Sequence, residues 1–365
     1  MTQTDSLSPG PGFWRKNGKK LAASAVMTAC MLYGLAREDF SLLPPKEAFA
    51  QVKWWVVPIY IVTLFSFFYV RATRWRFLLR SFAELPLRRL IAVSWISFAA
   101  ILILPFRIGE FVRPVMIREK GKISLAAATG TIVAERIVDG LFVSGILAAA
   151  LLWVKPIDPL PETVVGLPSL KVAVVRGSGF AVLGVFAIAF TVIAVYYFAR
   201  NFARLATLKV FGLVSKPLAE KLAAVAENLA NGLNFLGRPK DALPFLFETA
   251  LYWGINIAGM WLLAWGCGVK HGDGSSIQFV EAAAIMGMLG ATILIPGPPG
   301  LLGLFHVGVV CGMTLYFPAN IVQGPGAAFS FILYVVQLVC TVGAGLYWLR
   351  DPKERAALRT ASEAA

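Results

Sequence analysis

A chain of 365 residues that is 58% hydrophobic and only 15% charged, with a formal net charge of +14, is not an ordinary soluble domain; such domains carry roughly a quarter charged residues. Several apolar runs approach the ~20 residues that span a bilayer, which predicts an all-α polytopic membrane protein. No short alternating strands are visible, so a porin-like barrel is excluded.

In chain order, residues 1–20 are polar and form too long a lead for a cleaved signal peptide, so they are expected to be a cytoplasmic tail. A single transmembrane domain follows over 21–350, and residues 351–365 form a second cytoplasmic tail. Six full spans are predicted at 21–36, 54–70, 124–154, 179–199, 242–266 and 327–349. Two more apolar stretches are interrupted. The run 90–104 meets Pro105 and then a charged helix-like segment, 106–119; the run 278–295 meets PGPPG at 296–300 and then a second apolar segment, 301–316. A Pro/Gly break between two half-length apolar segments is the pattern of a re-entrant or broken helical hairpin.

Charge sets the orientation. With the N-terminus cytoplasmic, 26 of the 34 Lys and Arg residues fall on the cytoplasmic side and 7 on the other, with Arg136 inside a span. This positive-inside bias holds only if 90–119 dips in and returns. It also makes anionic inner-leaflet lipid the partner of the excess charge, with no role for nucleic acid. The order helix, helix, hairpin, helix over 21–154 then recurs upside down over 179–349, an inverted-topology repeat. Between the halves, 201–240 places Leu218, Leu222, Val225, Leu229 and Leu233 at helical spacing. That suits an amphipathic helix on the inner membrane surface or a short cytosolic helix packed on the bundle.

Ionisable groups at membrane depth are costly, so they mark the candidate site. Arg107, Glu110 and Arg113 are three apart and run along one side of a helix, a net positive unit suited to a lipid phosphate. Pro105 and Gly109 would loosen the backbone around it. Glu135 and Asp139 share a face in span 124–154, with Arg136 three residues before Asp139. These acids could supply counter-charge to Arg107 or Arg113, or the whole set could be an ion-pair lock between hairpin and helix. In the second hairpin, Pro296, Gly297, Gly300 and Gly303 expose backbone amides that could meet an anion, and His306 follows on an apolar helix, either titrating or packed. Arg71, Arg74 and Arg76, with Trp75, read as interfacial anchors or as further lipid contacts. Glu281, close to the outer loop, reads as interfacial. The four cysteines show no metal or disulfide spacing. There is no P-loop, GxSxG or HExxH and there are only two histidines, so no cofactor, metal or enzymatic activity is expected.

The combination R-x-x-R-W-R at 71–76, L-P-x-R-x-G-E-x-x-R at 104–113, E-R-x-x-D at 135–139 and P-G-x-x-G at 296–300 resembles the flippase-like transmembrane region of bacterial lysylphosphatidylglycerol synthases. The likeness runs over roughly 20–350. It implies movement of lipids between leaflets and re-entrant elements in the membrane. Full-length synthases append a cytosolic aminoacyl transferase domain, whereas here the last span is followed only by 351–365, so aminoacylation is not expected. Pro298 and Pro299 stand where relatives tend to have glycine or variable residues. The expected function is an inner-membrane translocase for an anionic phospholipid or lipid-linked head group. The alternative is a lipid-presenting subunit for a separate glycosyl or acyl transferase.

Overall fold

The computed structural model describes residues 11–38, 40–118, 123–213, 215–232, 237–295 and 297–363. The chain is almost entirely helical. Helices α1 (Pro11–Arg37), α2 (Val56–Leu79) and α3 (Leu87–Ile103) lead into a 3-10 segment (Pro105–Phe111) and short α4 (Val112–Ile117). Then come α5 (Leu125–Trp153), α6 (Val172–Phe198), α7 (Arg200–Gly212), α8 (Lys216–Gly232) and α9 (Pro239–Gly266). The last are α10 (Phe279–Thr292), α11 (Leu304–Thr314), α12 (Ala319–Gln323), α13 (Pro325–Trp348) and α14 (Pro352–Glu363).

Among the described residues, four helical stretches are long and apolar enough to cross a membrane: Val56–Leu79, Leu125–Trp153, Val172–Phe198 and Ala319–Trp348. α9 has the length, but Lys240, Asp241 and Glu248 stand in its first half. α1 starts well before residue 21, so part of the polar lead is helical. α6 also starts earlier than expected, because Arg176 is accommodated near its end. Caps fix several starts: Ser124 accepts from Ala127 N at 3.1 Å, a bond worth about 1 kcal/mol, and Gln278 with Glu281 forms a capping box on α10. Glu281 also meets His271 at 3.1 Å. It is thus a structural cap at the helix start.

Both broken stretches are hairpins. After Leu104 the chain runs back along α3: Ser97 Oγ donates to the Gly109 carbonyl at 2.8 Å and Arg89 donates to the Met116 carbonyl at 3.3 Å. Gly109 lies so close to the backbone of Ala100 and Ile101 that no Cβ fits. In the second hairpin α10 and α11 are antiparallel, because a Cβ at Gly308 would lie 3.0 Å from Leu289 Cα and one at Gly312 2.7 Å from Ile285 Cα. Small residues let helices approach this closely where lipid offers no hydrophobic drive.

A two-stranded hairpin, β1 (Thr163–Val164) with β2 (Leu167–Lys171), fills the loop after α5; residues this few give no readable alternation. The linker forms α7 and α8, and α8 packs on α5 and α6. Its buried face is Ala219 and Ala223, while Leu218 and Leu222 stay outside; Leu233 lies outside the described residues. Two apolar cores result. The larger joins α2, α3, α5, α9, α10, α11 and α13, and the smaller surrounds Trp75, Ile96, Met116, Ile132 and Phe245. The charged cluster sits where they meet.

Candidate functional site

α2 and α5 place Arg74 and Asp139 face to face. The guanidinium spans the carboxylate, Nη1 to Oδ1 at 2.7 Å and Nη2 to Oδ2 at 3.0 Å. α9 completes the pair from two positions three residues apart. Arg74 Nη1 donates to Thr249 Oγ1 at 2.6 Å, and Tyr252 donates its hydroxyl proton to Asp139 Oδ1 at 2.5 Å. The rings of Phe245 and Tyr252 lie 4.7 and 4.6 Å from the guanidinium. Arg74 is 0% exposed.

Glu135, one turn earlier on α5 and also 0% exposed, is shared by three arginines. Arg113 of α4 donates to Oε1 at 3.1 Å and to Oε2 at 3.2 Å; Arg136 pairs with Oε1 as well, and Arg74 Nη2 stands 3.5 Å away. Arg113 stacks over Trp75 at 4.2 Å, whose Nε1 donates to Thr131 Oγ1 at 3.0 Å. Charges this deep stay ionised only when matched and hydrogen-bonded. Four helices are joined by this lock.

In front of the lock is a cavity of about 370 Å³, with Arg71, Arg107, Glu110, Arg136 and Asp139 on its wall. Arg107 donates to Glu110 Oε1 from Nη2 at 2.7 Å and from Nε at 3.1 Å. Its third contact crosses to the other hairpin, Nη1 to the Ile293 carbonyl at 2.8 Å. Arg71 differs from the others in forming no ion pair among the described residues; it rests over the Phe98 ring at 4.9 Å. Across lock and cavity, five guanidinium groups meet three carboxylates, so the site carries an unmatched positive charge. Most other wall groups, such as Phe67, Val143, Leu147 and Phe186, are apolar. Apolar walls with a few convergent polar groups suit a small ligand or head group.

The expected residues therefore divide. Arg107, Glu110, Arg136 and Asp139 reach the cavity, whereas Arg113 and Glu135 stand behind it. Of the α2 arginines, Arg71 faces the cavity and Arg74 is buried in the lock. Arg76 pairs with Glu248 at 2.6 Å and is partly exposed. Pro105 opens the 3-10 segment and Gly109 presses it onto α3. Pro296 lies outside the described residues. A Cβ at Gly297 would lie 2.9 Å from Leu304 Cδ2, and Gly300 and Gly303 have φ of 69° and 81°. These glycines shape the second hairpin tip. His306 is buried against Tyr334 at 4.8 Å, without hydrogen-bond partners on its ring nitrogens among the described residues, and is not on the cavity wall.

Sequence reasoning missed Thr249, Tyr252 and Asn256. All are polar and recur at three- to four-residue spacing on one apolar helix, which was the available signal.

The sequence model of one family, described as lysylphosphatidylglycerol synthase TM region, matches residues 20–345. No curated protein and no solved structure matches the chain.

Proposed function

Given that the chain belongs to the lysylphosphatidylglycerol synthase transmembrane-region family, we propose that it is a lipid translocase moving an anionic head group between the leaflets of the inner membrane. One observation carries this reading: Arg71, a guanidinium in no ion pair among the described residues, faces a cavity whose other charged groups, Arg107 and Arg136 against Glu110 and Asp139, balance, so the positive excess on the wall is its own. A lipid phosphate would complete Arg71 with a charge-assisted bond and replace the missing counter-charge.

The architecture supports transport. Six spans, α1, α2, α5, α6, α9 and α13, would flank two re-entrant hairpins, α3–α4 and α10–α11. The order inverts between halves, and packing follows it: α3 on α13, α10 on α5, and α2 on α9 between its own counterparts. Sites at the interface of inverted repeats are exposed alternately by rocking of the halves. The basic ends of α2, α4, α7 and α13 support a cytoplasmic side for both termini. In this reading the protein performs no chemistry on the lipid.

Liposomes carrying a fluorescent anionic lipid test the proposal. Protein-dependent movement should fall at least tenfold in Arg71→Gln, with the protein still monodisperse. Movement undiminished in that variant would sink it. Binding without movement would fit a subunit that presents lipid to a separate transferase.

A further inference from the structure

The linker between the two halves presents an apolar face that the described residues leave uncovered. Phe202, Leu205 and Lys209 of α7, with Leu213 at its C-cap, stand three or four positions apart and so share one side of the helix. The three apolar residues are 69%, 68% and 87% exposed, and Phe198, at the end of α6, is 83% exposed. Ala203 is buried on the side turned to the protein. A contiguous apolar stripe is unfavourable in water and marks a surface that meets a membrane or a partner.

Geometry and charge choose between the two. The Tyr196 and Thr207 hydroxyls are hydrogen-bonded to each other, although a continuous helix would carry Thr207 about 16 Å beyond Tyr196. The chain turns at Ala199, with φ −130° and ψ 51°, so α7 leaves the axis of α6. Its stripe begins where the open, apolar surface of α6 ends. The 13 residues of α7 include Arg200, Arg204 and Lys209 and no acid. Pairing with α7 of a second copy would set like charges against each other. An apolar face flanked only by cations fits the head-group boundary of an anionic bilayer, where the apolar side sinks in and the cations meet lipid phosphate.

We infer that α7 is an interfacial anchor, lying in the plane of an anionic leaflet with Phe198, Phe202, Leu205 and Leu213 in its acyl boundary. α8 is the opposite case within the same linker. Its Ala219 and Ala223 are buried, and it packs on α5 and α6. Arg204 ties the two helices through Glu227 at 3.7 Å. The seat of α7 on the leaflet thereby holds the joint between the halves, whether or not the protein moves lipid.

The test uses the full chain with a single introduced cysteine, reconstituted into vesicles of phosphatidylcholine with and without phosphatidylglycerol. An environment-sensitive fluorophore on Leu205→Cys should be shielded from aqueous iodide and quenched by lipids brominated on their acyl chains. The same probe on Lys221→Cys, on the side of α8 away from its buried alanines, should be open to iodide and untouched by brominated lipid. Lys209→Gln should raise iodide quenching at position 205 about fivefold when phosphatidylglycerol is present, the share of one cation at an anionic surface. In phosphatidylcholine alone it should change nothing. Equal iodide quenching at 205 and 221 would place the stripe in water and overturn the inference. Shielding from iodide without quenching by brominated lipid would do the same, since protein would then cover the stripe. A Lys209→Gln effect of equal size in both vesicle types would rule out anionic lipid as the partner.

Discussion

Arg107 and Ile293 join the two hairpins tip to tip. The guanidinium sits 2.8 Å from the carbonyl that caps α10, at the negative end of that helix. Arg107 holds a φ of 57° to do so, in a region that costs a non-glycine residue about 1–3 kcal/mol.

That contact can be removed selectively. Arg107→Ala loses a charge-assisted bond worth about 1.5–3 kcal/mol, and the loss should be local. Amide exchange over 297–303 should speed up at least tenfold while the global melting temperature moves little. Unchanged exchange there would show that the tips are held by something else.

The lock behind the cavity should respond differently. Glu135→Gln leaves Arg113 without its carboxylate and Arg136 with Asp139 alone, and breaking a buried pair costs about 3–5 kcal/mol. The expected result is a large drop in the thermal midpoint in detergent, followed by intrinsic tryptophan fluorescence. An apolar double replacement, Glu135→Leu with Arg113→Met, should recover much of it. A single variant within about 1 kcal/mol of wild type would contradict the lock.

Tyr252→Phe and Thr249→Val each remove one hydrogen bond from the Arg74–Asp139 pair, at about 1–2 kcal/mol apiece. Both partners serve one ion pair, so the double variant should cost measurably less or more than the sum. Strict additivity in unfolding midpoints would mean that the pair is not a shared unit.

Gly312→Val tests the second hairpin. A Cβ there would fall 2.7 Å from Ile285 Cα, so α10 and α11 must separate, at about 1–3 kcal/mol for overpacking. Gly343→Val, with open space around its position, is the control and should be tolerated. Equal behaviour of the two would argue against the close helix pair.

Orientation is open to cysteine labelling in a cysteine-free background. A cysteine at Arg118 should react only from the cytoplasmic side, and one at Ser275 only from the other. Labelling of position 118 from outside would turn the first hairpin into a span.

Much of this was legible in the sequence because charge and proline stand out against apolar helices. Pro105 and the glycines at 297–303 marked both hairpin tips, and Glu135, Arg136 and Asp139 marked the lock. The roles were harder to read. Arg113 and Arg107 share a spacing, yet one points into the lock and the other into the cavity, a choice made by the 3-10 geometry between them. Thr249 lies 175 positions from Arg74 and Tyr252 113 from Asp139, so no local pattern announces either contact. On α8 the leucine stripe left open a membrane-surface helix or one packed on the bundle; Ala219 and Ala223 are buried there while Leu218 and Leu222 are exposed.

Val182 and Phe186 of α6 form part of the cavity wall, and α6 is the least covered of the four long apolar helical stretches. A cavity of about 370 Å³ holds a polar head but not two acyl chains. A lipid slipping past Phe186 would therefore keep its tails in the surrounding oil throughout, and only its few polar atoms would ever exchange bilayer for protein.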